Sequence, residues 1–165
     1  MKVIHSIVFT VLVMLMVGIF QLQNAMMTPV RLLNPIVKVD RTLMQLNTVG
    51  IKSKEMALSI DMVSQKTKLP QEFIIALMYT ESTGNKYAVS CKGYKGLMQI
   101  PHNVFYEDAN LLIGARIFQE KMKLSNGNME EAICRYKGYP IGSERGKQQA
   151  QKVLSLYYRL KKEEV

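Results

Sequence analysis

Glu81 closes one of the most apolar stretches of the chain, Phe73-Ile74-Ile75-Ala76-Leu77-Met78, and opens a loop rich in Gly, Ser and Tyr. In a helix led by Pro70, residues Phe73, Leu77 and Glu81 lie four apart and share a face. A carboxylate on an apolar face with no cation beside it favours its protonated form. A proton held near neutrality is what a general acid supplies. The plainer reading puts Glu81 at a frayed helix end reaching solvent, and its position alone divides the two evenly. Four further features bear on chemistry. Gly96 permits close backbone approach to a ligand, and Gln99, if buried, needs hydrogen-bond partners for its amide. Tyr136 joins an apolar ring to a hydroxyl, and Ser90 offers a hydroxyl that also suits a plain turn. Leu97 and Met98 read equally well as core.

The elements that must carry these residues are helical. Ser53 can cap a helix in which Met56, Ile60 and Val63 recur at helical spacing, and Pro70 ends that register. Pro70 then suits the start of the next helix, where its missing N–H is not needed. A third helix begins near Asp108, with Leu111, Ala115, Phe118 and Met122 on one face, and stops around Gly127. Asn128 caps a fourth, with Glu130 and Glu131 near its positive end. Val153, Leu156, Tyr157 and Leu160 mark a last one. The stretch from Thr83 to Pro101 breaks the pattern and reads as loop with at most a short hairpin. Residues 25–50, with Pro29, Pro35 and Gly50, read as a tether holding at most a short helix around Val39 to Leu46.

The 165 residues are 48% hydrophobic and 21% charged, which predicts a packed domain. The net charge of +9 favours polyanions: nucleic acid, phospholipid headgroups or anionic wall polymers. No zinc-ligand spacing, basic heptad helix or RNA-binding aromatic signature is present, so nucleic acid is not an expected partner. Residues 3–20 carry no formally charged side chain and follow Lys2. Their length lies between a signal-peptide core and a minimal span. The weak cleavage site, with Gln23 two before Ala25, favours an uncleaved anchor over a removed signal. The two cysteines, Cys91 and Cys134, permit one disulfide and equally fit two inert thiols.

Taken in order, Glu81-Ser82, Ala88-Val89-Ser90, Gly96-Leu97-Met98-Gln99-Ile100 and Tyr136 resemble the catalytic domain of lytic transglycosylases, the SLT family. These are goose-lysozyme-like enzymes that cleave peptidoglycan. The resemblance runs from about Ile51 to Lys161 and includes "LPQEFIIALMYTES" and "EDANLLIGARIF". It implies a mainly α, lysozyme-like fold with a short loop or hairpin insertion, preceded by the N-terminal hydrophobic segment. The expected boundaries are 1–24 for the anchor or signal, 25–50 for the tether and 51–165 for the domain. The resemblance makes Glu81 the sole catalytic acid/base, with no cofactor and no metal. Ser90 would contact the reacting sugar, Gly96, Leu97, Met98 and Gln99 would wall the groove, and Tyr136 would hydrogen-bond near Glu81. If Ser90 and Tyr136 converge, Cys91 and Cys134 come close, which keeps the disulfide open. One departure stands out: Tyr136-Lys137-Gly138-Tyr139-Pro140 replaces the Tyr-Asn-Ala-Gly common in the family. Lys92 and Lys95 also make the loop basic.

The implied reaction is cleavage of the MurNAc–GlcNAc β-1,4 bond to give 1,6-anhydro ends. Alternatives are a hydrolytic lysozyme on the same fold, or a non-catalytic wall-binding or assembly module. Expected partners are peptidoglycan strands, the membrane through residues 3–20, and a secretion, conjugation or phage assembly complex. The expected location is membrane-attached with the domain outside the cytoplasm, or secreted if the segment is cleaved.

Overall fold

The computed structural model describes residues 34–162, which form helices and no β-strand. In order these are α1 (Asn34–Thr48), α2 (Lys54–Thr67), α3 (Gln71–Ser82), α4 (Glu107–Leu124), α5 (Met129–Tyr136) and α6 (Glu144–Lys162). The boundaries follow from local chemistry. Ser53 Oγ accepts the Met56 N–H at 3.1 Å, and α2 ends at Lys68 in the left-handed region, φ +61°. Pro70 precedes the first residue of α3. Asn128 Oδ1 accepts the Glu131 N–H at 3.2 Å and starts α5.

Helix α3 is the hub. Every residue from Glu72 to Met78 is buried, so this helix has no solvent face along most of its length. An all-round apolar helix must be enclosed. Helix α6 packs along it, and α2 and α4 touch its other sides. The Phe73 ring lies 4.5 Å from Phe118 of α4 and 5.7 Å from Tyr157 of α6. The single stripe through Phe73 and Leu77 is therefore part of a fully buried rod. Glu81 escapes the core because it lies in the last turn, where the rod emerges.

The domain begins earlier than Ile51. A compact unit starts at Lys38, and Thr42, Gln45 and Leu46 of α1 are buried, Leu46 completely. Residues 38–48 thus belong to the domain rather than to a tether. Their inward face is masked in the sequence because two of its residues are polar. Gln45 Nε2 donates to Glu72 Oε1 at 3.1 Å, and Arg41 lies 3.6 Å from the same oxygen, so the buried Glu72 is met by α1. The hydrophobic run at 3–20 lies outside the described residues. Among the described residues no helix is long and apolar enough to cross a membrane.

Between α3 and α4 the chain forms the expected irregular insertion. Only isolated antiparallel bridges appear there, Val89 with Lys95 and Lys95 with Ile100. Leu46→Ala should cost about 2–5 kcal/mol in urea unfolding. Met44→Ala, at an exposed position of the same helix, should stay within about 0.5 kcal/mol. Equal effects would remove α1 from the core.

Candidate active site

Helix α3 stops where Thr83 turns left-handed, φ +53°, and the chain leaves the core as a loop. Backbone bonds fold that loop on itself: Gly96 N–H donates to Ala88 O at 2.8 Å, and Lys95 and Ile100 exchange bonds at 2.9 and 3.0 Å. Asn110, buried in the first turns of α4, locks it from behind. Its Oδ1 accepts the Met98 N–H at 2.8 Å, and its Nδ2 donates to Val104 O at 2.7 Å and Lys95 O at 3.2 Å. Gly96 has φ +77°, and a Cβ there would collide with the Asn110 amide. From the other side, the Tyr136 hydroxyl donates to Met98 O at 2.7 Å.

This framework leaves an open cleft of about 420 Å3, with Glu81 in its lining. Ser90, Gln99 and Tyr136 line it too. The structure thus brings together Glu81 and three of the six residues expected around it. Leu97 and Met98 do not form the wall. Both are fully buried, and Met98 packs against Gly114 of α4. Their contribution, like that of the buried Gly96, is to hold the backbone, while Gln99, Ile100 and Pro101 face the cleft. Gln99 itself has φ +47°, and its amide is anchored to Gly96 O at 3.0 Å and Ala88 O at 3.2 Å. Ser90 does double duty, since its Oγ also accepts the Tyr94 N–H at 3.0 Å.

Glu81 is not alone. Lys137 Nζ lies 2.8 Å from its Oε1, and the two side chains are only 6% and 14% exposed. No donor meets Oε1 in hydrogen-bond geometry, so this contact is an ion pair rather than a directed bond. The expectation of a carboxylate without a cation is corrected here. No specific signal marks Lys137 in the sequence beyond its place after Tyr136, because a lysine at a helix end usually only complements the dipole. The Tyr136 hydroxyl reaches Met98 O instead of Glu81. Burial pushes its phenol well above the ordinary value, and the nearby Glu81 charge adds to the shift, so the hydroxyl stays a proton donor.

The remaining cleft charges are basic: Lys92, Lys121 and Arg135 join Lys137 in the lining. The disulfide is absent. Cys91 is free and exposed on the loop, and Cys134 is free and buried beneath Gly146. Burial pushes the Cys134 thiol up, and Glu130 and Glu131 add to this, as suits an inert core thiol. Among the described residues no three His, Cys, Asp or Glu side chains gather as a metal-holding group.

Residues 58–110 match the family model of the transglycosylase SLT domain. Over this segment the chain is similar to that family. No curated protein matches the chain. The SLT segment runs from α2 through α3 and the loop to Asn110, so it contains Glu81, Ser90, Gly96 to Gln99 and the residue that locks the loop. Tyr136 and Lys137 lie beyond it and reach the cleft only because α5 packs on α4.

Asn110→Ala would leave the Met98 N–H and the Val104 carbonyl without this partner, while Lys95 O keeps the Ile100 N–H. The variant should lose at least about 2 kcal/mol of stability. The Met98 amide should also lose its protection in hydrogen exchange, more than amides in α2. A Met98 amide protected as in the native chain would show that Asn110 does not hold the loop.

Proposed function

We propose that the chain is a peptidoglycan lytic transglycosylase that cleaves the MurNAc–GlcNAc β-1,4 bond and leaves a 1,6-anhydro-MurNAc end. The match to the SLT domain supports a transglycosylase-type function. The observation that carries the finer reading is that, among the described residues, Glu81 is the only carboxylate lining the cleft. Two-carboxylate hydrolysis needs a second acid across the bond. Glu107 instead pairs with Lys86 at 3.2 Å, and Asp108 is exposed in the first turn of α4; neither lines the cleft.

One residue then serves twice. Protonated Glu81 gives its proton to the leaving glycosidic oxygen as the bond to C1 breaks. The substrate's own acetamido group stabilises the positive charge at C1, as in substrate-assisted glycosidases. Glu81, now ionised, takes the proton of the sugar's 6-hydroxyl, and that oxygen closes the ring on C1. No water is consumed, and the enzyme returns to its starting protonation. Ser90 and Gln99 offer polar groups to the sugar from the loop side, and Tyr136 fixes the wall behind them.

The basic lining and the net charge of +9 suit an anionic wall. A position outside the cytoplasm, with attachment through residues 3–20 and membership of a wall-opening complex, belongs to the same proposal. It rests on the uncharged N-terminal run and not on the described residues.

Purified peptidoglycan digested by the native chain should release muropeptides lighter by one water than hydrolytic products. Glu81→Gln should lower the rate at least about 100-fold while keeping the fold. Reducing muramic ends throughout would establish the lysozyme reading instead, and a fully active Glu81→Gln chain would remove Glu81 from the chemistry.

A further inference from the structure

Of the cations lining the cleft, Lys137 is matched by Glu81 at 2.8 Å. Among the described residues no carboxylate stands at ion-pair distance from Lys92, Lys121 or Arg135. Glu120 beside Lys121 and Glu131 a turn before Arg135 are the acids nearest in sequence, and neither pairs with them. Lys92 sits on an exposed stretch of the loop. Lys121 and Arg135 are held more firmly. They come from different helices, α4 and α5, and one buried serine ties them together. The Ser125 N–H donates to Lys121 O at 3.0 Å, and Ser125 Oγ accepts the Arg135 Nε–H at 3.1 Å.

A lysine in the last turn of a helix ordinarily offsets the dipole. Lys123 of the same turn can do so without lining the cleft, whereas Lys121 lines it. Fixing Arg135 through Nε leaves the guanidinium its terminal NH2 groups, which suit a carboxylate or phosphate. Like charges gathered in one cleft repel each other and focus a field that draws in an anion.

We infer that Lys121 and Arg135 form an anion subsite at the α4–α5 corner of the cleft, and that it takes a carboxylate of the peptide borne by the reacting muramic acid. The inference deepens the proposed function and rests on it for the identity of the substrate. An anionic arm can join that sugar at its 3-O-lactyl group, which carries the peptide, or at its 6-hydroxyl, where wall phosphate polymers attach. Closing the anhydro ring uses the 6-hydroxyl, so a sugar that reacts carries nothing there. The peptide arm remains, and its free carboxyl groups are anions at neutral pH. Peptide-bearing strands are therefore the favoured substrate, and strands without free carboxylates are poorer ones.

The test compares peptidoglycan freed of phosphate polymers with the same material after its carboxylates are converted to primary amides. For the native chain, kcat/KM for anhydro-product release should be at least about 10-fold higher on the carboxylate form, the scale of one hydrogen bond to a charged group. In Lys121→Gln/Arg135→Gln that preference should disappear. Lys152→Gln/Arg159→Gln removes as many exposed charges from α6, away from the cleft lining, and should keep the native preference. Equal rates of the native chain on both forms overturn the inference, as does a preference that survives in Lys121→Gln/Arg135→Gln. A preference lost equally in Lys152→Gln/Arg159→Gln assigns it to net charge and overturns it too. If the native rate follows the phosphate polymers and ignores amidation, the subsite serves phosphate and the inference fails. The soluble GlcNAc–MurNAc-tetrapeptide lacks the bond that is cleaved, so it reports binding without turnover. Added to the native chain, it should shift the NMR signals of the Arg135 Nε–H and the Lys121 amide, and its amidated form should bind at least about 10-fold more weakly. Unmoved signals, or equal binding of the two forms, overturn the inference. This measurement needs no variant to fold. If the native chain releases no anhydro product, the transglycosylase reading fails while the binding measurement still decides the subsite.

Discussion

The enclosure of α3 governs the rest of the molecule. Seven successive residues, Glu72 to Met78, are withdrawn from water, and a helix of that kind exists only where other helices supply its surroundings. Helices α2, α4 and α6 do so, and the aromatic cluster of Phe73, Phe118 and Tyr157 ties two of them to the rod. At either end the same helix carries a carboxylate that cannot be left alone. Glu72 is met by Gln45 and Arg41 of α1, and Glu81 by Lys137 at the end of α5. The two acids have similar surroundings in kind, and Glu81 opens onto the cleft.

The second constraint is the loop after α3. Its own backbone bonds fold it, and α4 and α5 hold it in place. Asn110 satisfies one amide and two carbonyls, and Tyr136 satisfies the carbonyl of the same Met98 whose amide Asn110 accepts. Met98 is thereby clamped at both backbone groups, and its side chain is seated over Gly114.

Charge separates this cleft from a generic apolar pocket. One acid faces four cations in the lining, and the nearest cation is buried with it. In water such a pair would contribute little. Withdrawn from solvent, it ties the acid to the end of α5, so the residue after Tyr136 becomes part of the site although it lies outside the matched SLT segment.

Periodicity and capping chemistry were enough to locate α2 to α6, because Ser53, Pro70 and Asn128 act on their own neighbours and Met56, Ile60 and Val63 repeat at helical spacing. The ordered motif also made Glu81, Ser90, Gln99 and Tyr136 legible, and all four line the cleft. What the sequence left undecided depends on contacts between distant residues. Helix α1 looked like a tether because its inward face includes Thr42 and Gln45, and a polar inward face is readable only once its partner, Glu72, is known to be buried. Leu97 and Met98 looked like wall because the motif does not say which way a side chain turns. The pairing of Glu81 with Lys137 joins residues from two helices that are not neighbours in sequence, and no local pattern encodes it. Local structure follows from interactions a few residues apart, whereas the electrostatic surroundings of a buried acid are decided only when the helices have packed.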